Sequence, residues 1–395
     1  MAGPQTLVPE IRFRGFSDEW KEVKLAELEG EGKLRLCRGN VISTKDIIDN
    51  PGNYPIYSSS AHKNGEMGRY GSYMFEKELV TWSIDGGGAV FYRPKHRFSV
   101  TNVCGYVDIK SGIDNAFLAY QLGRIHKGIS FDYTVKAHPS VIKSLYYLGI
   151  TSEGEQKAIG ILFKSIDLLI SIHTKKYEQL QNVKKSMLEK MFPRDGRNIP
   201  EIRFAGFTNP WEQRKWSDTV DISTDMVDPK TGLYDDLPHV APGNIESFTG
   251  RLYDNVKFVK DENLISGKFR FNAGDIIYGK INPQLGKYVF AAFSGLTSAD
   301  AYVLNAKNGV DQKYLYAVLQ TQDFFDYSVS VSKRSGMPKI NRDELNAYSF
   351  LAPSQEEQQK IGQFLLSIDN LITLHQRKYV KLQQIKKSML EKMFV

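Results

Sequence analysis

The chain has 395 residues, of which 41% are hydrophobic and 12% aromatic, a composition that predicts two or three packed domains and excludes a disordered chain. Its formal net charge of +7 is compatible with a polyanionic partner such as nucleic acid, but does not require one. No apolar run approaches the ~18 residues of a membrane span and the first residues lack a secretion signal, so we expect a cytoplasmic protein without a membrane partner.

Two pairs of matching segments divide the chain into tandem halves. The segment PEIRFRGFSDEW at residues 9–20 returns as PEIRFAGFTNPW at residues 200–211. A longer segment at residues 155–192, which ends in KKSMLEKMF, returns at residues 357–394. A chain with two copies of one plan can fold with approximate two-fold symmetry, which suits a target with two half-sites. Each half is predicted to contain a lead, a globular block and a long helix, at 1–20, 21–152 and 153–193 in the first half and at 194–211, 212–353 and 354–395 in the second.

The two globular blocks show a similar order of predicted elements. Both have strands separated by turns, then a helix, a polar loop and a final strand. In the first block we predict strands at 78–82, 89–92 and 103–109 and a helix at 115–125. In the second block we predict strands at 275–278, 288–293 and 301–306 and a helix at 312–325. The mixture of strands with a few helices predicts an α+β fold for each block.

Each long helical segment carries one apolar stripe with steps of three or four residues, which is typical of an amphipathic helix. No proline interrupts either stripe over about four heptads, so the natural partner of each helix is the other helix. A two-fold axis makes the pair antiparallel, which predicts a pseudo-two-fold molecule in which an antiparallel coiled coil joins two mixed α/β domains. The two mid-helix histidines should then meet as a buried structural pair. The predicted coiled-coil core contains Ile166, Ile170, His173, Tyr177, Leu180 and Met187 in the first helix and Ile368, Ile372, His375, Tyr379, Leu382 and Met389 in the second.

The sequence lacks the motifs of catalytic or metal sites. Three glycines at 86–88 follow a strand, but neither GxxxxGK[ST] nor a strand–GxGxxG–helix order surrounds them, so we interpret them as a hairpin tip. No HExxH or His/Asp/Glu cluster occurs, and Cys37 and Cys104 have no CxxC or Cys/His spacing for zinc. The [ND]PP[FY] motif of amino-methyltransferases is also absent. We therefore expect no catalytic residue, no metal and no cofactor on this chain.

Polar loops in both blocks carry side chains suited to base edges and phosphates, although a solvated loop is the alternative for each. Arg and Lys pair with guanine, Asn and Gln with adenine, and Lys and Ser also hold phosphate. PQLGK of the second block matches nothing in RPKHR of the first, as two different half-sites would require. The DNA-binding candidates are Ser58, Ser60, His62, Lys63, Asn64, Arg69, Arg93, Lys95, Arg97, Thr101 and Asn102 in the first block, and Asn244, Lys280, Asn282, Gln284, Lys287, Ser298, Lys333, Arg334 and Lys339 in the second.

Taken together, these features resemble the specificity subunits of type I restriction–modification enzymes over essentially the whole chain. The resemblance rests on the two PEIRF-x-GF leads, the EQ-x-x-IG helix starts, the paired SID helices and the KKSMLEKMF ends. It also rests on GKINPQLGK followed by TSADAYVL, and on SGMPKINRDEL before the second helix. One position departs from the family pattern: the usual proline before EQ is present as Pro353, but the first half has Thr151.

The resemblance implies a non-catalytic subunit that reads a bipartite double-stranded DNA site with two target-recognition domains. It also implies that the paired helices dock two modification subunits, and that two restriction (motor-nuclease) subunits join the assembly. S-adenosylmethionine, ATP and Mg²⁺ are expected on those partners. Two alternatives remain: a specificity module of a solitary methylation or anti-phage system without a nuclease, and a coiled-coil assembly scaffold with no DNA role. Salt-dependent binding to one bipartite duplex distinguishes DNA reading from scaffolding.

Overall fold

The computed structural model describes residues 7–60, 62–85, 89–131, 135–333 and 336–395, which form two compact units. Unit 1 comprises Met1–Ile172 and Tyr379–Val395, and unit 2 comprises His173–Lys378. The boundary between the units crosses both long helices. Each unit therefore contains one globular block together with part of each helix.

Unit 1 contains the first globular block, which is an α+β domain as predicted. Its sheet has the strand order β2-β7-β5-β6-β3-β4 among the described residues, and β1 pairs separately with β8. Neighbouring strands are antiparallel except β3 and β6, which are parallel. Val80 and Trp82 of β5 are at most 1% exposed because they pack with Leu122 of α3, whereas Leu79 is buried on the opposite face with Phe98. The elements up to the end of the first long helix are β1 (Lys21–Lys24), α1 (Leu25–Gly30), β2 (Leu34–Arg38), α2 (Thr44–Asp49), β3 (Tyr54–Tyr57), β4 (Glu66–Tyr70), β5 (Phe75–Ser83), β6 (Val90–Val100), β7 (Cys104–Ile109), α3 (Asn115–Lys127), α4 (Pro139–Leu145), β8 (Tyr147–Ile150) and α5 (Glu153–Lys190).

Unit 2 contains the second globular block. The elements from that block to the end of the second long helix are β9 (Glu212–Lys215), α6 (Trp216–Thr219), β10 (Val220–Ile222), β11 (Met226–Val227), β12 (Pro238–Val240), β13 (Lys257–Phe258), β14 (Lys268–Phe271), β15 (Ile276–Gly279), β16 (Tyr288–Phe290), β17 (Gly295–Thr297), β18 (Ala301–Ala306), α7 (Gln312–Val318), α8 (Gln322–Val331), α9 (Arg342–Asn346), β19 (Ser349–Ala352) and α10 (Gln355–Lys392). The described strands form two larger sheets, β10-β18-β15-β16 and β11-β14-β17-β12-β13, and a β19-β9 pair. Successive side chains of a strand point to opposite faces of its sheet. Ile276 and Tyr278 of β15 accordingly enter the core beneath the helices, whereas Ile277 packs with Val240 and Phe271 of the other sheet. Burial on both faces explains the continuous apolar sequence of β15.

Several elements differ from the sequence-based prediction. The strand predicted at 89–92 continues as β6 to Val100, so that RPKHR lies within a strand and not in a loop. Pairing with β5 along most of this length outweighs the low strand preference of that sequence. The helix predicted at 312–325 is two helices, because the Thr321 side chain accepts a hydrogen bond from the Phe324 amide and caps a new helix. The strand predicted at 288–293 ends at Phe290. The predicted hairpin tip at 86–88 lies outside the described residues.

The long helices pair antiparallel in both units, as the repeats predict. In unit 2, His173 lies against His375, and Lys184 near the other end of α5 lies against Asp369, which precedes His375 in α10. In unit 1, Phe163 stacks on Phe394 at a centroid distance of 5.7 Å, and Asp167 is 2.5 Å from Lys386. Within the described part of the chain, no helix combines the length and the apolar character needed to cross a bilayer.

The predicted coiled-coil core is only partly enclosed. Ile166, Ile368 and Ile372 are buried. Tyr379 is 36% exposed, which differs from the prediction. Two paired helices cover only one side of each other, so a side chain at the edge of their contact keeps part of its surface in solvent. The half-buried members of the predicted core are Ile170, His173, Tyr177, Leu180, Met187, His375, Leu382 and Met389.

The segments at 9–20 and 200–211, here named lead 1 and lead 2, fasten the helices in equivalent ways. In unit 1, Arg12 of lead 1 donates two hydrogen bonds to Glu155 of α5, at 2.8 and 2.7 Å. In unit 2, Arg203 of lead 2 donates to Glu357 of α10 at the same two distances. Each lead also donates a backbone amide to the last residue of the other helix, from Ile11 to the Lys392 carbonyl and from Ile202 to the Lys190 carbonyl. A lead therefore joins the start of one helix to the end of its partner.

Candidate nucleic-acid interface

The first set of predicted DNA-binding residues gathers around a loop between β3 and β4. This recognition loop (residues 58–65) is closed by a hydrogen bond from the Ser58 amide to the Gly65 carbonyl and ends in a 3-10 turn, His62–Gly65. Asn64 and Gly65 have left-handed backbone conformations, with φ of 55° and 79°. The Asn64 side chain is exposed and has no hydrogen-bond partner among the described residues. Ser60 is exposed as well, whereas the side chains of His62 and Lys63 lie outside what the structure describes.

Two further candidates, Arg69 and Arg97, are exposed but already paired. Arg69 contacts Glu66 at 2.8 Å. Arg97 lies 3.2 Å from Glu76 and places its guanidinium 5.0 Å from the ring centre of Tyr73. Exposed ion pairs contribute little to stability, so these guanidinium groups are available to phosphate or guanine. Lys95 is also exposed, and Asn102 is half-buried.

Two further predicted DNA contacts, Arg93 and Thr101, lie in the interior of unit 1. Both residues are 3% exposed. Thr101 donates its hydroxyl to Ser58 Oγ at 3.1 Å, which fixes one end of the recognition loop. Arg93 lies beneath the same loop. Burial lowers the pKa of Arg93 to about 10, although Tyr57, Cys104 and Glu66 act in the opposite direction.

A cluster of cations forms the corresponding feature of unit 2. Lys280 follows β15 directly, and its ammonium lies 5.4 Å from the ring centre of Tyr302 in β18. The Arg342 guanidinium lies 5.6 Å from the same ring and donates to two backbone carbonyls, those of Ile222 and Ser223. Partial burial lowers the pKa of Lys280, and the charges of Lys339 and Arg342 lower it further, against the opposing effect of Asp300. Lys280 forms no ion pair with the described residues. A bound anion would therefore offset the repulsion of Lys280 by Lys339 and Arg342.

The loop after Lys280 combines residues that face solvent with residues that hold its shape. Asn282 adopts a left-handed conformation with φ of 51°, and Gln284 is exposed. Lys287 instead donates to the carbonyls of Pro242 and Ile245, at 2.7 and 2.8 Å. Asn244 accepts a hydrogen bond from the Ala241 amide. Lys287 and Asn244 therefore maintain the fold around this loop, and their DNA contacts stay a prediction.

The remaining candidates lie at the edges of this region. Lys333 and Lys339 are exposed, and Ser298 accepts a hydrogen bond from the Asp300 amide. Arg334 lies outside the described residues. Sequence reasoning missed Arg342 and Tyr302, because only the fold brings β18 and the start of α9 next to Lys280. Groups of three or more His, Cys, Asp or Glu suited to a metal ion do not occur in the part of the chain that the structure describes.

Both long helices expose apolar side chains at equivalent positions. Leu169 and Ile172 of α5 are each 43% exposed, and their counterparts Leu371 and Leu374 of α10 are 44% and 45% exposed. The two helices therefore repeat one pair of exposed apolar side chains.

Comparisons with known proteins agree with the arrangement of two blocks and two helices. A family model described as type I restriction modification DNA specificity domain matches residues 17–182 and again 209–384. The chain is 24% identical over 383 residues to the type I restriction enzyme EcoDI specificity subunit of Escherichia coli, with 87% of this chain and 80% of that protein covered. It is 20% identical over 397 residues to the MjaVIII specificity subunit of Methanocaldococcus jannaschii, with 94% and 91% covered. The solved structure of an S subunit of the type I restriction–modification system of M. genitalium matches with a TM-score of 0.73 at 14% identity, covering 98% of this chain and 99% of that one.

Proposed function

Because this chain belongs to the type I restriction modification DNA specificity domain family, we propose that each of its two units reads one half of a bipartite duplex. The chain is the DNA specificity subunit of a type I restriction–modification system, has two target-recognition domains and is itself non-catalytic. The observation that carries the proposal is the double match of the family model, once in each half of the chain.

We assign the target-recognition domains to residues 21–152 and 212–353. Residues 153–193 and 354–395 form the spacer helices, and the segments 1–20 and 194–211 contain lead 1 and lead 2. In support, α5 begins at Glu153 and α10 at Gln355, directly after the last strand of each block. Exchange of residues 21–152 for the corresponding block of another family member should change one half of the methylated motif. A change in both halves would contradict independent reading.

Each recognition domain presents exposed polar side chains that suit DNA. In unit 1 these include Asn64, Lys95 and Arg97. In unit 2 they include Gln284, and the half-buried Lys280 lies beside them. Arg and Lys pair with guanine and phosphate, whereas Asn and Gln pair with adenine. The purified chain should bind one bipartite duplex more tightly than a scrambled duplex, with an affinity that falls as salt rises. Equal affinity for both duplexes would favour a scaffold without a DNA role.

We further propose that two modification subunits dock on the repeated apolar pairs Leu169/Ile172 and Leu371/Leu374, and that two restriction subunits complete a cytoplasmic assembly. The partners then supply S-adenosylmethionine, ATP and Mg²⁺. Leu169→Asp with Ile172→Asp should remove one of the two modification subunits, as counted by native mass spectrometry. Ile161→Asp is the matched control, because Ile161 is also exposed but its counterpart in α10 is the polar Gln363.

A solitary methylation system without a nuclease is the second candidate. Methylome sequencing of a host that expresses this chain with its modification partner identifies the bipartite site in either case. Only addition of the restriction partner, followed by a test for cleavage of unmodified DNA, separates the two systems.

A further inference from the structure

Arg93 is an unusual residue in the core of unit 1, because its charge is buried without a carboxylate partner. The guanidinium lies 3.6 Å from the ring centre of Tyr57 and 4.4 Å from that of Phe91. Its Nε donates to Thr81 Oγ1 at 2.9 Å, and its Nη1 donates to the Asn64 carbonyl at 2.7 Å. Nη2 is buried and has no hydrogen-bond partner in the described chain. A buried cation without an anionic partner lowers the stability of the fold, so packing alone does not account for an arginine at this position.

The recognition loop folds tightly over this cation. A Cβ placed on Gly65 would lie 3.2 Å from Arg93 Nη2, and also 3.2 Å from the Ser58 carbonyl oxygen. The hydrogen bond from Nη1 reaches the peptide that joins two consecutive left-handed residues, Asn64 and Gly65. Asparagine is among the few residues other than glycine that adopt a left-handed conformation, and such a conformation persists where neighbouring groups hold it. Here the Arg93 hydrogen bond to the Asn64 carbonyl holds it from below, together with the backbone bond from Ser58 to the Gly65 carbonyl.

The same conformation determines the direction of the Asn64 side chain. While its carbonyl points inward to Arg93, its carboxamide is exposed and unpaired among the described residues. A carboxamide held in one orientation can form two hydrogen bonds with the N6 and N7 edge of adenine. A mobile carboxamide would gain less binding free energy from these two hydrogen bonds, because it would lose conformational entropy on binding.

We infer that Asn64 is a specificity-determining residue of unit 1 that contacts an adenine edge, and that Arg93 is the positioning residue that aims it through the Asn64 carbonyl. This inference rests on the proposed function, since it names residues for reading the first half-site. It also assigns Arg93 a role that does not involve touching DNA.

The test measures methylation of a panel of duplexes by the complex of this chain with its modification subunits. The panel varies each base pair of the first half-site in turn and includes variants of the second half-site. Asn64→Ala should reduce discrimination at one A·T pair by about 5- to 100-fold, which corresponds to the loss of one two-bond contact. Arg93→Met, which keeps the volume but removes the hydrogen bond, should relax discrimination at the same base pair.

Two comparisons separate positioning from a general structural role. Discrimination at the second half-site should be unchanged in both variants, because unit 2 reads it. The double variant should discriminate no worse than Asn64→Ala alone, since Arg93 acts only through Asn64. Arg93→Lys keeps a donor for the Asn64 carbonyl and should restore part of the discrimination.

Asn308→Ala provides a matched control. Asn308 in unit 2 is another left-handed asparagine, with φ of 48°, but its side chain donates to the Asp218 carbonyl. Its replacement should lower stability without changing any base preference.

Undiminished discrimination at every base pair in Asn64→Ala would overturn the inference, and so would intact discrimination in a folded Arg93→Met variant. If Arg93→Met does not fold, Asn64→Ala and Asn64→Asp decide whether Asn64 reads the base pair. Arg93→Lys then decides whether Arg93 positions it, because discrimination at that base pair should fall between the values of the unaltered chain and of Asn64→Ala. Failure of the unaltered complex to methylate any bipartite site would instead overturn the proposed function.

Discussion

Lead 1 and lead 2 make the same contacts with their helices, but the two glutamates that receive these contacts have different surroundings. Glu155 in unit 1 also accepts hydrogen bonds from Trp20 Nε1, at 3.1 Å, and from the Thr151 hydroxyl. In unit 2, Trp211 Nε1 is buried without a partner among the described residues, and Pro353 replaces the threonine. The arginine–glutamate contact between lead and helix, here called the junction, is thus the same in both units. The additional hydrogen-bond donors to the glutamate differ.

The largest expected effect comes from removing the glutamates. Glu155→Ala should lower the free energy of unfolding of unit 1 by about 3–5 kcal/mol, because it leaves the largely buried Arg12 without its partner. Glu357→Ala should cost unit 2 less, since fewer donors are orphaned there. Urea unfolding followed by tryptophan fluorescence, with hydrogen exchange to distinguish the units, measures both changes. Equal losses would mean that the donors from Trp20 and Thr151 contribute nothing.

Low pH should weaken the contact between Arg12 and Glu155. Burial acts to raise the pKa of Glu155, but hydrogen bonds from Arg12, Thr151 and Trp20 and the charge of Arg12 lower it below its ordinary value. A carboxylate with a lowered pKa stabilises the fold above its unfolded pKa of about 4.3, and this contribution is lost as pH falls through the folded pKa. Unit 1 should therefore lose stability below about pH 4.3, and Glu155→Gln should weaken this pH dependence.

The cations provide a second comparison, because unit 1 buries Arg93 whereas unit 2 leaves Lys280 partly open. Lys280→Ala should weaken DNA binding by about 1–3 kcal/mol if the ammonium grips a base. If it holds phosphate, binding should fall uniformly across sequences and the dependence on salt should become shallower. Fluorescence anisotropy at several salt concentrations measures both. Lys260→Ala is the control, since Lys260 is exposed and paired with Asp236; an equal loss in both variants would contradict a specific site.

A smaller effect tests the donor that distinguishes the two junctions. Thr151→Val removes the hydroxyl but keeps the shape, and should lower the free energy of unfolding of unit 1 by about 1–2 kcal/mol. Pro353→Thr should give Glu357 an additional hydrogen-bond donor. The contact of lead 2 with α10 should then become more similar in stability to the contact of lead 1 with α5. If Thr151→Val leaves the free energy of unfolding of unit 1 unchanged, water donates to Glu155 in place of the Thr151 hydroxyl.

The smallest expected effect concerns the histidines. His173 Nδ1 and His375 Nδ1 are 2.8 Å apart, and the pKa of His375 is lowered by partial burial and by the charges of His173, Lys378 and Lys176. A base with a lowered pKa stabilises the fold above its unfolded pKa of about 6.5, and this contribution is lost as pH falls toward the folded value. His173→Leu with His375→Leu should flatten the change in melting temperature between about pH 7 and pH 5. An unchanged slope would exclude the pair as its source.

The sequence predicted the two domains and the paired long helices, whereas it carried little information on which candidate side chains the fold buries. Repeats and apolar spacing depend on local periodicity, so they identified the long helices, their antiparallel pairing and the meeting of His173 with His375. Whether a polar side chain faces solvent depends on partners that are distant in sequence. Lys287 donates to carbonyls more than forty positions earlier, and Arg93 is covered by a loop that RPKHR gives no reason to expect. No spacing rule indicated these partners.

The packing of the chain's last residues has a consequence for biosynthesis. Phe394 lies among Trp20, Phe117 and Phe163, so the core of unit 1 combines residues that are synthesised at widely separated times. At 5–20 residues per second, the roughly 200 residues between Ile172 and Tyr379 take about 10–40 s to synthesise. During that interval the apolar surface around Trp20 remains exposed to solvent, because Phe394 has not yet been synthesised. All residues of unit 2 are present as soon as Lys378 emerges. The second domain is therefore able to finish folding before the first, and a chain that stops within the last turns of α10 would lack part of the core of unit 1.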